Sequence, residues 1–143
     1  MKLHVVTVGQ PKLAYAKLGW NEYFERLQRL HSVRVTHLQD KYAYDATKIL
    51  DATQETYRVV LEIEGKQFSS PELAEFLKKR ELEAREVSLI IGGPEGLPQE
   101  VRDAADCQWS FGKLTLPHDL AMVTLLEALY RASTINAGLP YHK

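Results

Sequence analysis

The sequence predicts an α/β fold: a doubly wound, mainly parallel sheet with helices on both faces. Three observations carry that expectation. Strand-like and helix-like runs alternate along the chain, the order in which parallel strands and crossover helices follow one another. Residues 87–91 (VSLII) form a near-continuous apolar run, as expected of a strand covered on both faces. The length, 143 residues, suits one domain spanning 1–143. Such a chain buries roughly 68–70% of its unfolded surface, so one core forms without metal or disulfide.

The elements follow in order. Leu3–Val8 reads as the first strand. Lys12–Leu30 reads as a helix, with Leu18, Phe24, Leu27 and Leu30 on one face. Val33–Leu38 is the second strand, Ala46–Thr56 a short helix, and Arg58–Ile63 the third strand, with a turn beginning at Glu64-Gly65. Ser70-Pro71-Glu72 starts a helix to about Glu83, with serine as N-cap and proline in the first position. Val87–Ile91 is the fourth strand, Pro98–Ala105 a short helix, and Cys107–Phe111 the fifth strand. Pro117 opens the last helix, which runs to about Ala137. Its Met122, Leu125, Leu126 and Leu129 form an apolar stripe for the core, and Ala121, Ala128 and Ala132 permit close approach. Glu127 and Arg131, at i and i+4, form a surface pair worth about 0.3–0.5 kcal/mol.

Composition narrows the function. The net charge of −1 argues against strong non-specific binding to nucleic acid, which needs a basic surplus. The single cysteine, Cys107, cannot make an internal disulfide, which fits a reducing compartment. No run reaches the ~20 apolar residues of a membrane helix, and the first residues lack the pattern of a secretory leader. The expected location is therefore the cytoplasm. The five histidines are scattered, without the close ligand spacing of a zinc site, so no metal is expected.

Three segments in the last third carry the candidate chemistry. Gly92-Gly93-Pro94-Glu95-Gly96 follows the fourth strand and lets main-chain amides approach a ligand. It lacks the spacing of a dinucleotide fingerprint or a P-loop. Phe111-Gly112-Lys113-Leu114-Thr115-Leu116 follows the fifth strand; it offers backbone donors and acceptors between apolar walls. In open parallel sheets ligands sit beyond the carboxyl ends of strands, where both segments lie, together with Leu61. The third segment is Tyr141-His142, two residues that fray unless docked. Local sequence physics favours fraying.

Together, IGGPEGL, SFGKLTLPH, LLEALYRASTI and PYHK resemble the bacterial ribosomal RNA large subunit methyltransferase H family, as do MKLHVVTVG and LEIEGKQFSSPELA near the start and middle. The resemblance covers essentially the whole chain. It implies a SPOUT-type methyltransferase with a C-terminal trefoil knot, methylating N3 of a pseudouridine in 23S rRNA of the assembled ribosome. It implies S-adenosyl-L-methionine as cofactor, held by Leu61, Gly92, Phe111, Gly112, Lys113, Leu114, Thr115 and Leu116. It further implies a homodimer with the site between protomers, and catalytic roles for His142, Tyr141 and Arg131. His118 is a further polar residue expected to face the site. Two other readings are a SPOUT methyltransferase acting on another RNA such as tRNA, and a non-catalytic dimer binding a nucleotide or a ribosomal surface.

Overall fold

The computed structural model describes all 143 residues. Five strands, β1 (Lys2–Val8), β2 (Ser32–Leu38), β3 (Tyr57–Gln67), β4 (Val87–Ile91) and β5 (Cys107–Ser110), form one sheet in the order β2-β1-β4-β3-β5. Every pairing is parallel. The helices are α1 (Ala14–Gln28), α2 (Ala46–Ala52), α3 (Ser70–Leu82), α4 (Gln99–Asp103) and α5 (His118–Ala137).

Side-chain alternation along the strands sends residues to two cores. Leu3 and Val5 of β1 join Trp20 and Leu27 of α1, Leu77 of α3 and Leu125 and Leu129 of α5. Val6 joins Ile49 of α2 and Val101 of α4 on the other face. This period of two, on strands flanked by helices on both sides, is why β4 reads as continuously apolar. All five of its residues are buried. The apolar stripe of α5 is fully buried as expected, with Met122, Leu125, Leu126 and Leu129 at 0% exposure.

Several local expectations are corrected. Ser69, not Ser70, caps α3. Its hydroxyl accepts from the Glu72 amide while the Glu72 carboxylate accepts from the Ser69 amide, a reciprocal capping box. Pro117 is the N-cap of α5 rather than its first helical residue. Leu18 is 73% exposed; Leu27 is buried and Phe24 packs against the core as expected, with Ala16 and Trp20 completing the inward face of α1. Finally, β3 does not end near Ile63. Leu61 and Lys66 both register with Trp109 of β5, so Glu62–Gly65 leaves the ladder as an outward excursion and the strand then resumes. A Cβ at Gly65 would lie 2.6 Å from the Gln108 carbonyl, so only glycine lets the excursion close back onto β5.

The chain after β5 positions the site. It leaves the sheet edge and reaches the carboxyl end of β1, crossing the ends of β3 and β4 over residues 111–117. The start of α5 fixes that crossing. The His118 Nε2–H donates to the Val8 carbonyl at 2.7 Å. The buried Asp119 carboxylate accepts from the Lys12 and Leu13 amides at 2.9 and 2.7 Å. Those amides belong to the otherwise uncapped entrance of α1, so one carboxylate ties both helices together and complements the α1 dipole.

Candidate functional site

A cavity of ≈ 180 Å³ opens beneath the crossing segment. Its walls are Leu61 at the end of the paired part of β3, Ile63 from the excursion, and Phe111, Leu114, Thr115 and Leu116 from the crossing. Glu62, Gly112 and Ala121 complete it, and the buried Trp109 forms its back. Phe111 meets Trp109 edge to face at 5.0 Å, and Phe68 supports Trp109 from behind at 6.1 Å. The slot is mainly apolar, with the Glu62 carboxylate and the Thr115 hydroxyl as its polar side chains. Leu114, a wall residue, is 81% exposed, an apolar surface that a bound ligand would cover.

Ser110 holds the two walls together. Its hydroxyl lies 2.8 Å from the Ile63 carbonyl and accepts from the Gly112 amide at 3.0 Å. The excursion of β3 and the exit of β5 thus share one buried hydroxyl. Of the residues expected to hold a cofactor, Leu61, Phe111, Gly112, Leu114, Thr115 and Leu116 line this cavity. Lys113 points to solvent and is not part of the lining. Gly92 is also outside it. A Cβ there would sit 2.9 Å from the Gly96 carbonyl carbon and from Leu97 Cδ2, so Gly92 permits the tight fold-back of the 92–97 turn, closed by a bridge between Gly93 and Gly96.

The tail forms a second cluster and is docked rather than frayed. Gly138 ends α5 in a left-handed conformation (φ +70°), and the Leu139 amide donates back to the Thr134 carbonyl. This brings Tyr141 edge to face against Tyr130 at 4.8 Å, with its hydroxyl 3.2 Å from that of Tyr23. The Arg131 guanidinium stacks over the Tyr141 ring at 4.8 Å and donates to His142 Nδ1 at 3.2 Å. Glu127 accepts from Arg131 Nε at 2.7 Å and raises the guanidinium pKa further. Burial and then the Tyr23 hydrogen bond push the Tyr141 phenol up to about 12, so it is a neutral hydroxyl at physiological pH. With Arg131 donating to Nδ1, a neutral His142 ring carries its proton on Nε2.

The three expected catalytic residues are therefore brought together, but not beside the cavity of their own chain. Ala121 lines the cavity and Arg131 holds the tail; a step of ten residues along the helix separates them by roughly 15 Å. His118 is in neither cluster. It lines a separate cavity of ≈ 300 Å³ with Gly9, Lys12, Asp40 and Pro94.

Sequence reasoning missed Ile63, Trp109, Ser110, Tyr23 and Arg26. The serine beside the Phe111–Leu116 segment was the one available cue. Tyr23 gave none, because its partner lies 118 residues away. No group of three His, Cys, Asp or Glu side chains could hold a metal ion, and no helix is long and apolar enough to cross a membrane. Cys107 is free and half-buried, its thiol pKa raised by that burial.

A slot beyond the strand ends of a parallel sheet lies where open α/β folds place their ligands. The chain belongs to the SPOUT methyltransferase family: the model described as "Predicted SPOUT methyltransferase" matches residues 1–142. Two relatives are each named ribosomal RNA large subunit methyltransferase H. That of Deinococcus radiodurans is 49% identical, covering 100% of this chain and 99% of its own length. That of Deinococcus deserti is 48% identical, covering 100% of both. The resemblance read from IGGPEGL, SFGKLTLPH and PYHK is thereby borne out. Among solved structures, "a probable methylase family protein" from Haemophilus influenzae superposes with a TM-score of 0.60, covering 99% of this chain and 70% of that one. At 13% identity it speaks for the α/β fold alone.

Proposed function

We propose that this protein methylates N3 of a pseudouridine in 23S rRNA of the assembled ribosome, using S-adenosyl-L-methionine in the cytoplasm. The observation that carries the reading is full-length identity of 49% to a ribosomal RNA large subunit methyltransferase H, joined to a slot whose lining includes six of the eight residues that the resemblance assigns to the cofactor. The lining of the slot supports this cofactor. Its apolar walls suit the faces of an adenine, its main-chain groups suit the adenine edge, and Glu62 offers a carboxylate to ribose hydroxyls. Gly92 and Lys113 would reach the cofactor through main-chain atoms. The crossing of 111–117 over the ends of β3 and β4 is where a trefoil knot would close.

The separation of slot and tail supports a homodimer, in which the tail of one protomer covers the slot of the other. Leu13 and Leu18 on α1 are 56% and 73% exposed, an apolar surface suited to such pairing. Two-fold dimers are the commonest small assemblies. The near-neutral charge supports an assembled ribosome as substrate. Its shape and proteins would supply binding that counterion release from free RNA does not.

Bound S-adenosyl-L-methionine supplies an electrophilic methyl group on a sulfonium. This chain's residues hold the target and move the proton. N3 of a pseudouridine carries a proton that must leave. Arg131 shifts from His142 Nδ1 to an imide oxygen, stabilising the developing negative charge. Its departure frees Nδ1 to accept the N3 proton, directly or through water. Tyr141, neutral at working pH, shields the site and orients the base. Much of the acceleration comes from holding the reacting groups at near-attack distance.

The test is methyl transfer to ribosomes lacking the modification, with the modified position mapped. His142→Ala should lower kcat about 100-fold or more, the range of general-base loss, with cofactor affinity unchanged. A wild-type rate in that variant would remove the base assignment. Equal turnover of naked rRNA would remove the ribosome requirement, and mapping to a tRNA would replace the substrate.

A further inference from the structure

The tail cluster contains two residues that the catalytic reading does not use. We propose that Tyr23 and Arg26, both on α1, are positioning residues for methyl transfer: they clamp the Tyr141 ring and so hold the adjoining His142 in register with Arg131. The inference rests on the tail taking part in catalysis.

The geometry is that of a clamp rather than of ordinary helix packing. Arg26 lies within 5.6, 5.7 and 5.9 Å of the ring centres of Tyr23, Tyr130 and Tyr141. One guanidinium thus sits among three aromatic rings, from α1, α5 and the tail. Such cation–π contacts favour a fixed planar cation. Glu22 fixes it further, accepting from Arg26 Nη2 at 2.9 Å, as Glu127 does for Arg131. Tyr23 adds the hydroxyl pair with Tyr141 at 3.2 Å and its own ring contact with Tyr130 at 6.2 Å. The core of the α1–α5 contact is formed by Trp20 and Leu27 with Leu125 and Leu129, and the Tyr23 and Tyr130 rings pack at its edge, where Arg26 and Tyr141 meet them.

The clamp matters because Tyr141 is the last well-held residue. His142 is exposed, and its one side-chain hydrogen bond is with Arg131. The two α-carbons are linked by one peptide, about 3.8 Å. Pinning the Tyr141 ring therefore restricts where the imidazole can go, while releasing it returns the tail to fraying. A misplacement of about 1 Å at a reacting group can cost up to about 100-fold in rate.

The experiment uses the full-length protein. Tyr23→Phe, Arg26→Gln and Arg26→Lys are assayed on ribosomes lacking the modification. Cofactor affinity is measured by calorimetry, and the Tyr141 phenol is followed by NMR of carbon-labelled tyrosine, assigned with Tyr141→Phe. Tyr23→Phe should lower kcat about tenfold, with KM and cofactor affinity within about twofold. The Tyr141 phenol should titrate lower than about 12. Arg26→Gln should lose more rate, and Arg26→Lys should recover most of it. Melting temperature reports the fold. If Tyr23→Phe does not fold, the half-exposed Arg26 variants carry the test. A Tyr141 resonance and titration unchanged in every variant would overturn the clamp. So would a displaced Tyr141 with wild-type kcat, provided His142→Ala is inactive. If His142→Ala is also fully active, it is the catalytic reading of the tail that falls.

Discussion

The slot draws its lining from two short stretches, 61–63 and 109–116, with Ala121 behind them. The tail cluster draws on α1, α5 and the last residues of the sequence, with Tyr23 and Tyr141 separated by 118 positions. The slot is shaped by main chain: an excursion from β3 and a crossing segment held by one serine hydroxyl. The tail cluster is shaped by side chains: three tyrosines, two arginines and the two glutamates that anchor them. A main-chain site suits a constant ligand whose edges are read by backbone groups. A side-chain site suits proton movement, where identity and charge decide the outcome. Substitutions should therefore separate the two. Changes that bend the backbone should cost cofactor affinity, and changes of chemistry at the tail should cost turnover.

The largest effect on the slot is expected at Gly65. A methyl there would meet the Gln108 carbonyl at 2.6 Å, and backbone cannot rotate away as a side chain can. Overpacking of this kind costs about 1–3 kcal/mol, here concentrated where the excursion closes onto β5. Gly65→Ala should lower the melting temperature and weaken S-adenosyl-L-methionine binding by about 10–100-fold in calorimetry. The Tyr141 resonance should stay where it is. A displaced tail in this variant would mean that slot and tail are one unit within the protomer.

Ser110→Ala should act more gently on the same site. The substitution leaves the Ile63 carbonyl and the Gly112 amide without their shared partner. A lost hydrogen bond of this kind costs about 1 kcal/mol, or about fivefold in affinity if all of it is felt at the slot. The check is cofactor affinity, with kcat at saturating cofactor little changed. A drop in kcat at unchanged affinity would place Ser110 in the chemistry instead.

The same division explains what the sequence revealed. The alternation of β1, β4 and α5 was legible because burial on two faces imposes local periodicities. The slot was mostly legible because it is local. Phe111 through Leu116 is one continuous loop, and Leu61 is the last residue before β3 leaves the ladder. The excursion itself was not legible, since Glu64-Gly65 reads equally well as a strand-ending turn. Its true character depends on contact with Gln108, more than forty residues on. Leu18 misled because an apolar residue at helical spacing marks a buried face without saying what buries it. The docked tail was hidden for a related reason. Its anchors on α1 become neighbours only after α1 and α5 pack.

The smallest effect is expected at Lys113, and it is the sharpest check on the main-chain character of the slot. Lys113 lies in the centre of the crossing segment, flanked by Gly112 and Leu114, which both line the cavity. Its own side chain is exposed and makes no hydrogen bond or ion pair with the protein. If the segment recognises its ligand through backbone groups, removing the ammonium should change nothing that touches the cofactor. Lys113→Ala should therefore keep S-adenosyl-L-methionine affinity within about twofold, a difference of about 0.4 kcal/mol. Its affinity for ribosomes can fall modestly and in a salt-dependent way, as for one exposed cation near a phosphate backbone. A tenfold loss of cofactor affinity would show that a side-chain charge reads the ligand, and the contrast between a backbone-built slot and a side-chain-built tail would fail at its centre.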